Sequence, residues 1–218
     1  MSGNKLYIVG VGPGSEDYIT PVARRHIAQC DLLLGNERLT RLFPVPSHEL
    51  DLRGDPPRAM KFILANRPRL KMAVLVSGDP GLYSFLRVLS RYLDEDEFEV
   101  IPGISSVQLA FARIKDCWDD AFILNLHGRA GDNLMAAVER HPKIAILTDH
   151  RWSPREIARH LLEHGIEDRE LIICENLSYP EERIVRTDIR SALDAASGEG
   201  LNVVIVRETK RCRGSSTV

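Results

Sequence analysis

Short apolar runs alternate along the chain with segments whose apolar residues recur at helical spacing. The first run, residues 6–11, is apolar throughout, which is typical of a strand covered on both faces. Similar runs predict strands at 31–34, 73–77, 98–101, 121–126, 144–148, 171–175 and 202–207, and an alternating pattern predicts one at 182–187. Helices are predicted between them at 21–30, 56–66, 83–93, about 106–113, 133–140, 154–164 and 188–196. This alternation predicts an α/β fold.

Several helix ends carry the residues that such ends prefer. Thr20 precedes Pro21, which predicts a capped helix with proline in its first turn. Ser153 stands three residues before Glu156 as in a capping box, and Gly165 predicts the end of that helix. These signals fix the two helices independently of their apolar pattern.

A polar stretch at residues 115–120 interrupts the alternation. The strand and helix pattern restarts immediately after it. We therefore expect two α/β domains, at 1–114 and 121–207, joined by a linker at 115–120 and followed by a polar tail at 208–218.

Composition and charge narrow the class of protein. Of the 218 residues 44% are hydrophobic and 28% are charged, as in ordinary globular proteins. The net charge of −2 and the isoelectric point near 6.4 argue against nucleic acid as a partner. No apolar run is long enough to span a membrane, no signal peptide is evident, and the four cysteines form no CxxC pair. We therefore expect a cytoplasmic protein without a zinc site or disulfide framework.

Glycine-rich segments follow three of the predicted strands. The first, GVGPG at 10–14, lacks the GxGxxG spacing of a dinucleotide site, and Pro13 removes a backbone donor. The second, SGDPG at 77–81, places Asp79 at a strand end, where its carboxylate suits a ribose hydroxyl, an amine or a cation. A simple turn without a ligand would also explain each of these first two segments. The third, IPGISS, offers Ser105 and Ser106 as helix caps that can still face a cleft.

Histidines occur in two further patterns. HLLEH at 160–164 matches a metalloprotease motif, but it falls at the end of an amphipathic helix, and we expect no metal there. His127 and Arg129 follow the first strand of the second predicted domain, where a cleft between domains would open. Two solvated cations in a loop remain an equal alternative from spacing alone.

Six segments together resemble the tetrapyrrole (corrin/porphyrin) methylase family, and the resemblance covers roughly residues 4–207. The segments are GVGPGSEDYIT, VSGDPGLYS, EVIPGISSVQLAFARI, LHGR, AILTD and CENLSYPEERIV. The combination of the third, fourth and last segments is most similar to the members that methylate carbon 5 of a precorrin ring in cobalamin biosynthesis. The resemblance implies two α/β domains that form a trough, with S-adenosylmethionine bound between them.

The resemblance also implies which residues bind the cofactor. The matching positions are Pro13, Ser77, Gly78, Asp79, Leu82, Tyr83, Ser105, Ser106, Thr148, Asn176, Leu177 and Asn202. Thr148, Asn176, Leu177 and Asn202 correspond to the adenosine side. The pair Leu82-Tyr83 departs from the more aromatic or smaller pair expected there. His127 and Arg129 match no cofactor position and are the candidate catalytic residues, on the substrate side. Arg129 suits a propionate or acetate, and His127 could either accept the proton lost after methylation or bind a carboxylate.

The implied partners are a precorrin or cobalt-precorrin substrate and a second copy of the chain in a homodimer. Some relatives carry an added domain that methylates carbon 15 and decarboxylates, and we expect a separate protein to perform that step here. Two alternatives stay open from the sequence. One is another methylase of this fold, acting on RNA ribose or on diphthine precursors, and the other is a non-catalytic module that binds the cofactor.

Overall fold

A computed structural model describes residues 4–52, 54–126, 132–195 and 202–209 of the chain. The chain divides into two compact units, Met1–Ser106 and Val107–Val218, each with one five-stranded sheet. The α/β fold class predicted from the sequence is confirmed. The finer domain boundaries given above stay a prediction.

The sheet of the first unit is entirely parallel. Its strands, listed in chain order, are β1 (Leu6–Gly10), β2 (Leu32–Gly35), β3 (Ser47–Glu49), β4 (Met72–Val76) and β5 (Phe98–Ile101). They lie in the order β3-β2-β4-β1-β5. Since β1 lies between β4 and β5, the loops that follow these three strands leave the sheet side by side.

Helices cover this sheet on both faces, and alternate residues of β1, β2 and β4 supply two apolar layers. A 3-10 turn at Glu16–Tyr18 is followed by α1 (Pro21–Ile27), α2 (Glu37–Thr40), α3 (Pro56–Asn66) and α4 (Leu86–Leu89). The next helix, α5 (Ser106–Ile114), begins at the last residue of this unit and otherwise belongs to the second unit. Ile8 packs in one buried cluster with Met60 of α3, and the next residue, Val9, packs in another with Ile27 of α1. Burial on both faces explains the unbroken apolar run in β1.

The second unit has a mixed sheet. It contains β6 (Phe122–Asn125), β7 (Lys143–Leu147), β8 (Arg169–Glu175), β9 (Arg183–Asp188) and β10 (Asn202–Glu208), in the order β6-β7-β10-β8-β9. Among the strands that the structure describes, only β6 and β7 pair in parallel, and β10 runs antiparallel to both of its neighbours. Its helices are α6 (Asp132–Arg140), α7 (Pro154–Glu163) and α8 (Ala192–Ala195). Their apolar residues, such as Leu134 and Leu161, form a single cluster with the strands.

Helix ends that carried sequence signals lie where they were predicted. Thr20 accepts from the backbone N–H of Ala23, and Ser153 accepts from that of Glu156. Gly165, at φ +78°, follows the end of α7 in the left-handed conformation that glycine favours. The capping signals therefore gave more accurate boundaries than the apolar pattern alone.

Three helices are shorter than the sequence analysis predicted, and the first of them, α1, ends at Ile27 rather than at residue 30. The segment predicted at 83–93 has only α4 as helix. It cannot begin at Tyr83, whose φ of +49° a helix excludes, and after α4 the chain continues in turns closed by bonds such as that from the N–H of Arg91 to the carbonyl oxygen of Val88. The segment predicted at 188–196 begins as the end of β9, and the Asp188 carboxylate accepts from the backbone N–H of Ser191 ahead of α8. Short polar turns with side-chain caps imitate helical spacing in the sequence.

The polar segment expected as a linker, 115–120, is bound to the second sheet. The Lys143 ammonium donates to the carbonyl oxygen of Cys117 at 2.9 Å and to the Asp120 carboxylate at 2.7 Å. Asp116 pairs with Arg207, whose side chain is almost fully buried. β10 itself extends to Glu208, the first residue of the expected polar tail. Within the described ranges, no helix has the length and apolar character needed to cross a membrane.

Candidate active site

Three loops meet at the carboxyl ends of β4, β1 and β5. The backbone N–H of Val11 donates to the carbonyl oxygen of Val76 at 3.0 Å, which continues the ladder beyond β1. The chain then turns at Gly12, whose carbonyl oxygen accepts from the N–H of Gly78 at 2.8 Å. In open α/β sheets this edge is where ligands bind.

Glycines allow the loop backbones to approach each other closely. A Cβ atom on Gly10 would stand 2.5 Å from the carbonyl oxygen of Gly78 and 2.7 Å from the nitrogen of Gly103. Both neighbours are backbone atoms, so neither can rotate away. One glycine from each loop therefore forms the junction, and a side chain at Gly10 would force the loops apart.

Asp79 joins two of these loops through its carboxylate. One oxygen accepts from the N–H of Gly81 at 2.8 Å, and the other accepts from the N–H of Gly103 at 3.0 Å. The first bond shapes the turn after β4, and the second connects that turn to the loop after β5. Each carboxylate oxygen still has a further acceptor position for a ligand.

The remaining expected residues of the first unit surround this junction. Ser105 is buried, while Pro13, Ser77, Leu82 and Ser106 are half-buried. Ser106 is the first residue of α5, and Tyr83 has an exposed ring. The three loops thus combine hydroxyl groups, a carboxylate and closely packed backbone on one edge of the sheet.

The expected residues of the second unit gather at one end of its own sheet. The Thr148 hydroxyl, just beyond β7, donates to the carbonyl oxygen of Asn202 at 2.8 Å. Asn202 pairs with Glu175, the last residue of β8, and Asn176 and the buried Leu177 follow directly. β6 ends beside them, since the N–H of Leu126 donates to the carbonyl oxygen of Leu147. His127 and Arg129, the candidates next along the chain, lie outside the described residues.

Sequence reasoning assigned no role to Glu182 and Arg113, although both lie within the quoted motifs. One oxygen of Glu182 accepts from the N–H of Ser178 at 2.7 Å, two residues after Asn176. Arg113 donates to both oxygens of the same carboxylate. The bond from Arg113, with that from the Ser178 backbone, holds the pKa of Glu182 below its usual value. The signal in the sequence was Glu182, the last of the three glutamates in ENLSYPEER, but its partner Arg113 could not be found without the fold.

The histidines of HLLEH make local contacts. The ring of His160 meets the Trp152 ring edge-on at 5.4 Å, and Nδ1 of His164 lies 2.8 Å from the carbonyl oxygen of His160. In the part of the chain that the structure describes, no group of three or more His, Cys, Asp or Glu side chains is placed to hold a metal.

Comparison with known proteins gives two close relatives of similar length. The chain is 35% identical over 180 residues to the cobalt-precorrin-7 C(5)-methyltransferase of Salmonella typhimurium, covering 82% of this chain and 88% of that protein. It is 31% identical over 201 residues to the probable cobalt-precorrin-7 C(5)-methyltransferase of Methanocaldococcus jannaschii, covering 89% and 92%.

Structure comparison agrees at the level of the fold. The uroporphyrin-III C-methyl transferase of Thermus thermophilus, solved with S-adenosylhomocysteine, superposes with a TM-score of 0.75. The match covers 94% of this chain and 98% of that one, at 21% identity. Residues 5–193 match the family model described as Tetrapyrrole (Corrin/Porphyrin) Methylases. The chain therefore belongs to the tetrapyrrole methylase family.

Proposed function

We propose that this protein transfers a methyl group from S-adenosylmethionine to carbon 5 of cobalt-precorrin-7. The observation that carries the proposal is the similarity, over more than four fifths of each chain, to two proteins with that named activity. Family membership alone supports methyl transfer to a tetrapyrrole, and these two relatives support the position and the substrate.

The residues at the loop junction fit the proposed cofactor. S-adenosylmethionine has an amino acid end, a ribose diol and an adenine, and each needs hydrogen-bonding groups. The hydroxyls of Ser77 and Ser106 and the carboxylate of Asp79 are half-buried, so they are held in place yet accessible. We propose that Pro13, Gly78, Leu82, Tyr83 and Ser105 complete this part of the site. Thr148, Asn176, Leu177 and Asn202 would bind the adenosine side.

Attack of the ring carbon on the methyl group needs little help from a general base on the protein. When bound, S-adenosylmethionine would supply an activated methyl group: the ring carbon forms the new bond to the methyl carbon as the sulfur–carbon bond breaks, S-adenosylhomocysteine leaves with that electron pair, and the ring then loses a proton. The side chains named above hold the donor in one orientation, and positioning of this kind can contribute effective molarities of about 10⁵–10⁸ M. Exclusion of water by closely packed loops strengthens the electrostatic interactions made inside the site.

We assign the substrate side to His127 and Arg129. An arginine can bind a propionate or acetate with two parallel hydrogen bonds, and a histidine can accept a proton or bind a second carboxylate. Both residues follow β6, whose end lies beside Thr148 and Asn202 in the same sheet. The proposal includes a cytoplasmic homodimer and a separate protein for methylation and decarboxylation at carbon 15.

The alternatives from the sequence have less support. An RNA methylase would need a basic surface, and the chain carries a net charge of −2. A diphthine-type methylase shares the fold, but the two relatives described above are named for the precorrin reaction. A non-catalytic module would bind the cofactor without turnover, which the following experiment detects.

The test is product analysis with a labelled methyl donor. Purified protein is incubated with cobalt-precorrin-7 and S-adenosylmethionine that carries a ¹³C methyl group. Mass spectrometry should show one added methyl group, and NMR should place the label on carbon 5. Parallel reactions with the cobalt-free ring and with ribosomal RNA test the other acceptors. Label on another ring carbon, or on RNA alone, would overturn the proposal.

A further inference from the structure

The connection between β8 and β9 is a pair of consecutive turns with unusual backbone angles. Asn176 has φ +47° and Ser178 has φ +72°, although neither is glycine. The N–H of Tyr179 donates to the carbonyl oxygen of Asn176 at 2.9 Å, and that of Glu182 donates to the carbonyl oxygen of Tyr179 at 3.0 Å. The first turn has positive φ at its third residue, where glycine is preferred. Such conformations persist only when neighbouring groups enforce them.

The Glu182 carboxylate is one of the groups that hold this turn. The second turn brings its side chain back over the first, and its carboxylate accepts from the N–H of Ser178 at 2.7 Å. Arg113, in the last turn of α5, donates through Nε to one oxygen at 2.5 Å and through a terminal nitrogen to the other at 3.3 Å. A carboxylate held by two guanidinium bonds has a fixed orientation. Ser178, whose backbone φ is strained, therefore donates its N–H to a carboxylate that is itself held in place.

We propose that Glu182, oriented by Arg113, is a positioning residue for cofactor binding. It acts by keeping Asn176 and Leu177 in the one backbone conformation that binds the adenosine side of the cofactor. This inference rests on the proposed function, because only that function gives Asn176 and Leu177 a ligand. Leu177 is almost fully buried, so the turn cannot shift without moving an apolar side chain out of its packing.

A nearby contact provides a matched control. Arg186, in β9, donates to the carbonyl oxygen of Ile114 at 2.9 Å and so also joins α5 to the β8–β9 hairpin. It makes none of the bonds described above to the turn at 176–179. Loss of Arg186 should therefore loosen the same elements without releasing Ser178.

The experiment compares S-adenosylhomocysteine binding and thermal unfolding in three variants. Glu182→Gln places an amide where a bidentate carboxylate stood, so either Arg113 or Ser178 loses an acceptor. We expect its Kd for S-adenosylhomocysteine to rise about tenfold. The reason is that one residue with positive φ can relax in the free variant and must return to its strained conformation when the ligand binds. In steady-state kinetics the KM for S-adenosylmethionine should rise while kcat at saturation stays near the wild-type value. Arg186→Ala should change the melting temperature but leave Kd within about twofold of wild type.

A double variant makes the test specific to the turn. Glycine adopts positive φ without a steric penalty, so Ser178→Gly removes the strain that Glu182 must oppose. Glu182→Gln with Ser178→Gly should therefore bind S-adenosylhomocysteine more tightly than Glu182→Gln alone. It also offers a folded variant if Glu182→Gln by itself does not accumulate.

Each outcome separates the two proposals. If the wild-type protein binds no S-adenosylhomocysteine, the proposed function fails. If the wild type binds it and Glu182→Gln binds it equally well, the positioning role is wrong and the proposed function stands. Equal loss of affinity in Glu182→Gln and Arg186→Ala, or no recovery in the double variant, would also refute the positioning role.

Discussion

Asp79 is the residue whose removal gives the clearest test of the three-loop junction. Its carboxylate accepts from the N–H groups of Gly81 and Gly103 at 2.8 and 3.0 Å. A hydrogen bond to a charged group contributes about 1.5–3 kcal/mol when well protected. Because the Asp79 side chain is only half-buried, water replaces part of each bond. We therefore expect Asp79→Ala to lower the free energy of unfolding by about 2–4 kcal/mol.

The expected loss can be divided with a second substitution. Asparagine keeps one side-chain oxygen and replaces the other with a donor, so Asp79→Asn should retain one of the two bonds and lose about half as much stability. Urea denaturation measures both changes, and calorimetry with S-adenosylhomocysteine measures the loss of the binding surface. Both variants should bind the ligand more weakly than wild type.

Asp188 provides the matched control for this test. Its two carboxylate oxygens accept from the N–H and the hydroxyl of Ser191 at 2.8 and 2.9 Å. Asp188 pairs with Glu170, at the end of the second sheet opposite Asn176. Asp188→Ala should therefore leave S-adenosylhomocysteine affinity unchanged. Wild-type stability together with wild-type affinity in Asp79→Ala would show that the carboxylate does not join the loops.

Three further predictions concern packing, pH and thiol reactivity. Gly10→Ala should cost at least about 3 kcal/mol in urea denaturation, because overpacking against backbone cannot relax, whereas Gly165→Ala, with open space around it, should cost only about 1–2 kcal/mol for its positive φ. The hydrogen bond from Arg67 lowers the pKa of Glu97 in the folded protein. The free energy of unfolding should therefore fall as the pH drops from 4.5 through that lower pKa, and Glu97→Gln should flatten this part of the curve of unfolding free energy against pH. Burial raises the pKa of the Cys174 thiol to about 12, so peptide mapping after iodoacetamide treatment at pH 8 should show its alkylation only in unfolded protein.

Local signals in the sequence were sufficient to fix several helices. α3 spans the predicted Pro56–Asn66, with Asp55 accepting from the N–H of Arg58 as its cap. α7 begins and ends at the predicted signals of Ser153 and Gly165. Capping residues act within one turn of the chain, so their effect can be read without knowledge of distant partners.

β3 and Tyr83 show where local reading failed. All three residues of β3 are exposed, and its sequence, Ser47–Glu49, has no apolar pattern. It forms a strand because β2 offers it an unpaired edge. Tyr83 has positive φ although it lies in a segment whose apolar residues recur at helical spacing. The spacing was misleading because Phe85, Leu89 and Leu93 are buried even though the backbone is not a regular helix throughout. Apolar residues at helical spacing can therefore be buried by a series of turns as well as by a helix.

The sequence by itself determined the α/β class, the family and the glycine-rich loops at strand ends, because each of these depends on residues close together in the chain. Only the tertiary structure decided that β1 lies between β4 and β5, which brings the three loops to one edge. Only the structure paired Asp79 with Gly103 and Arg113 with Glu182, the latter 69 residues apart in the chain. Hydrogen bonds between distant residues depend on the sheet order, and sheet order is set by packing of the whole unit rather than by any local pattern.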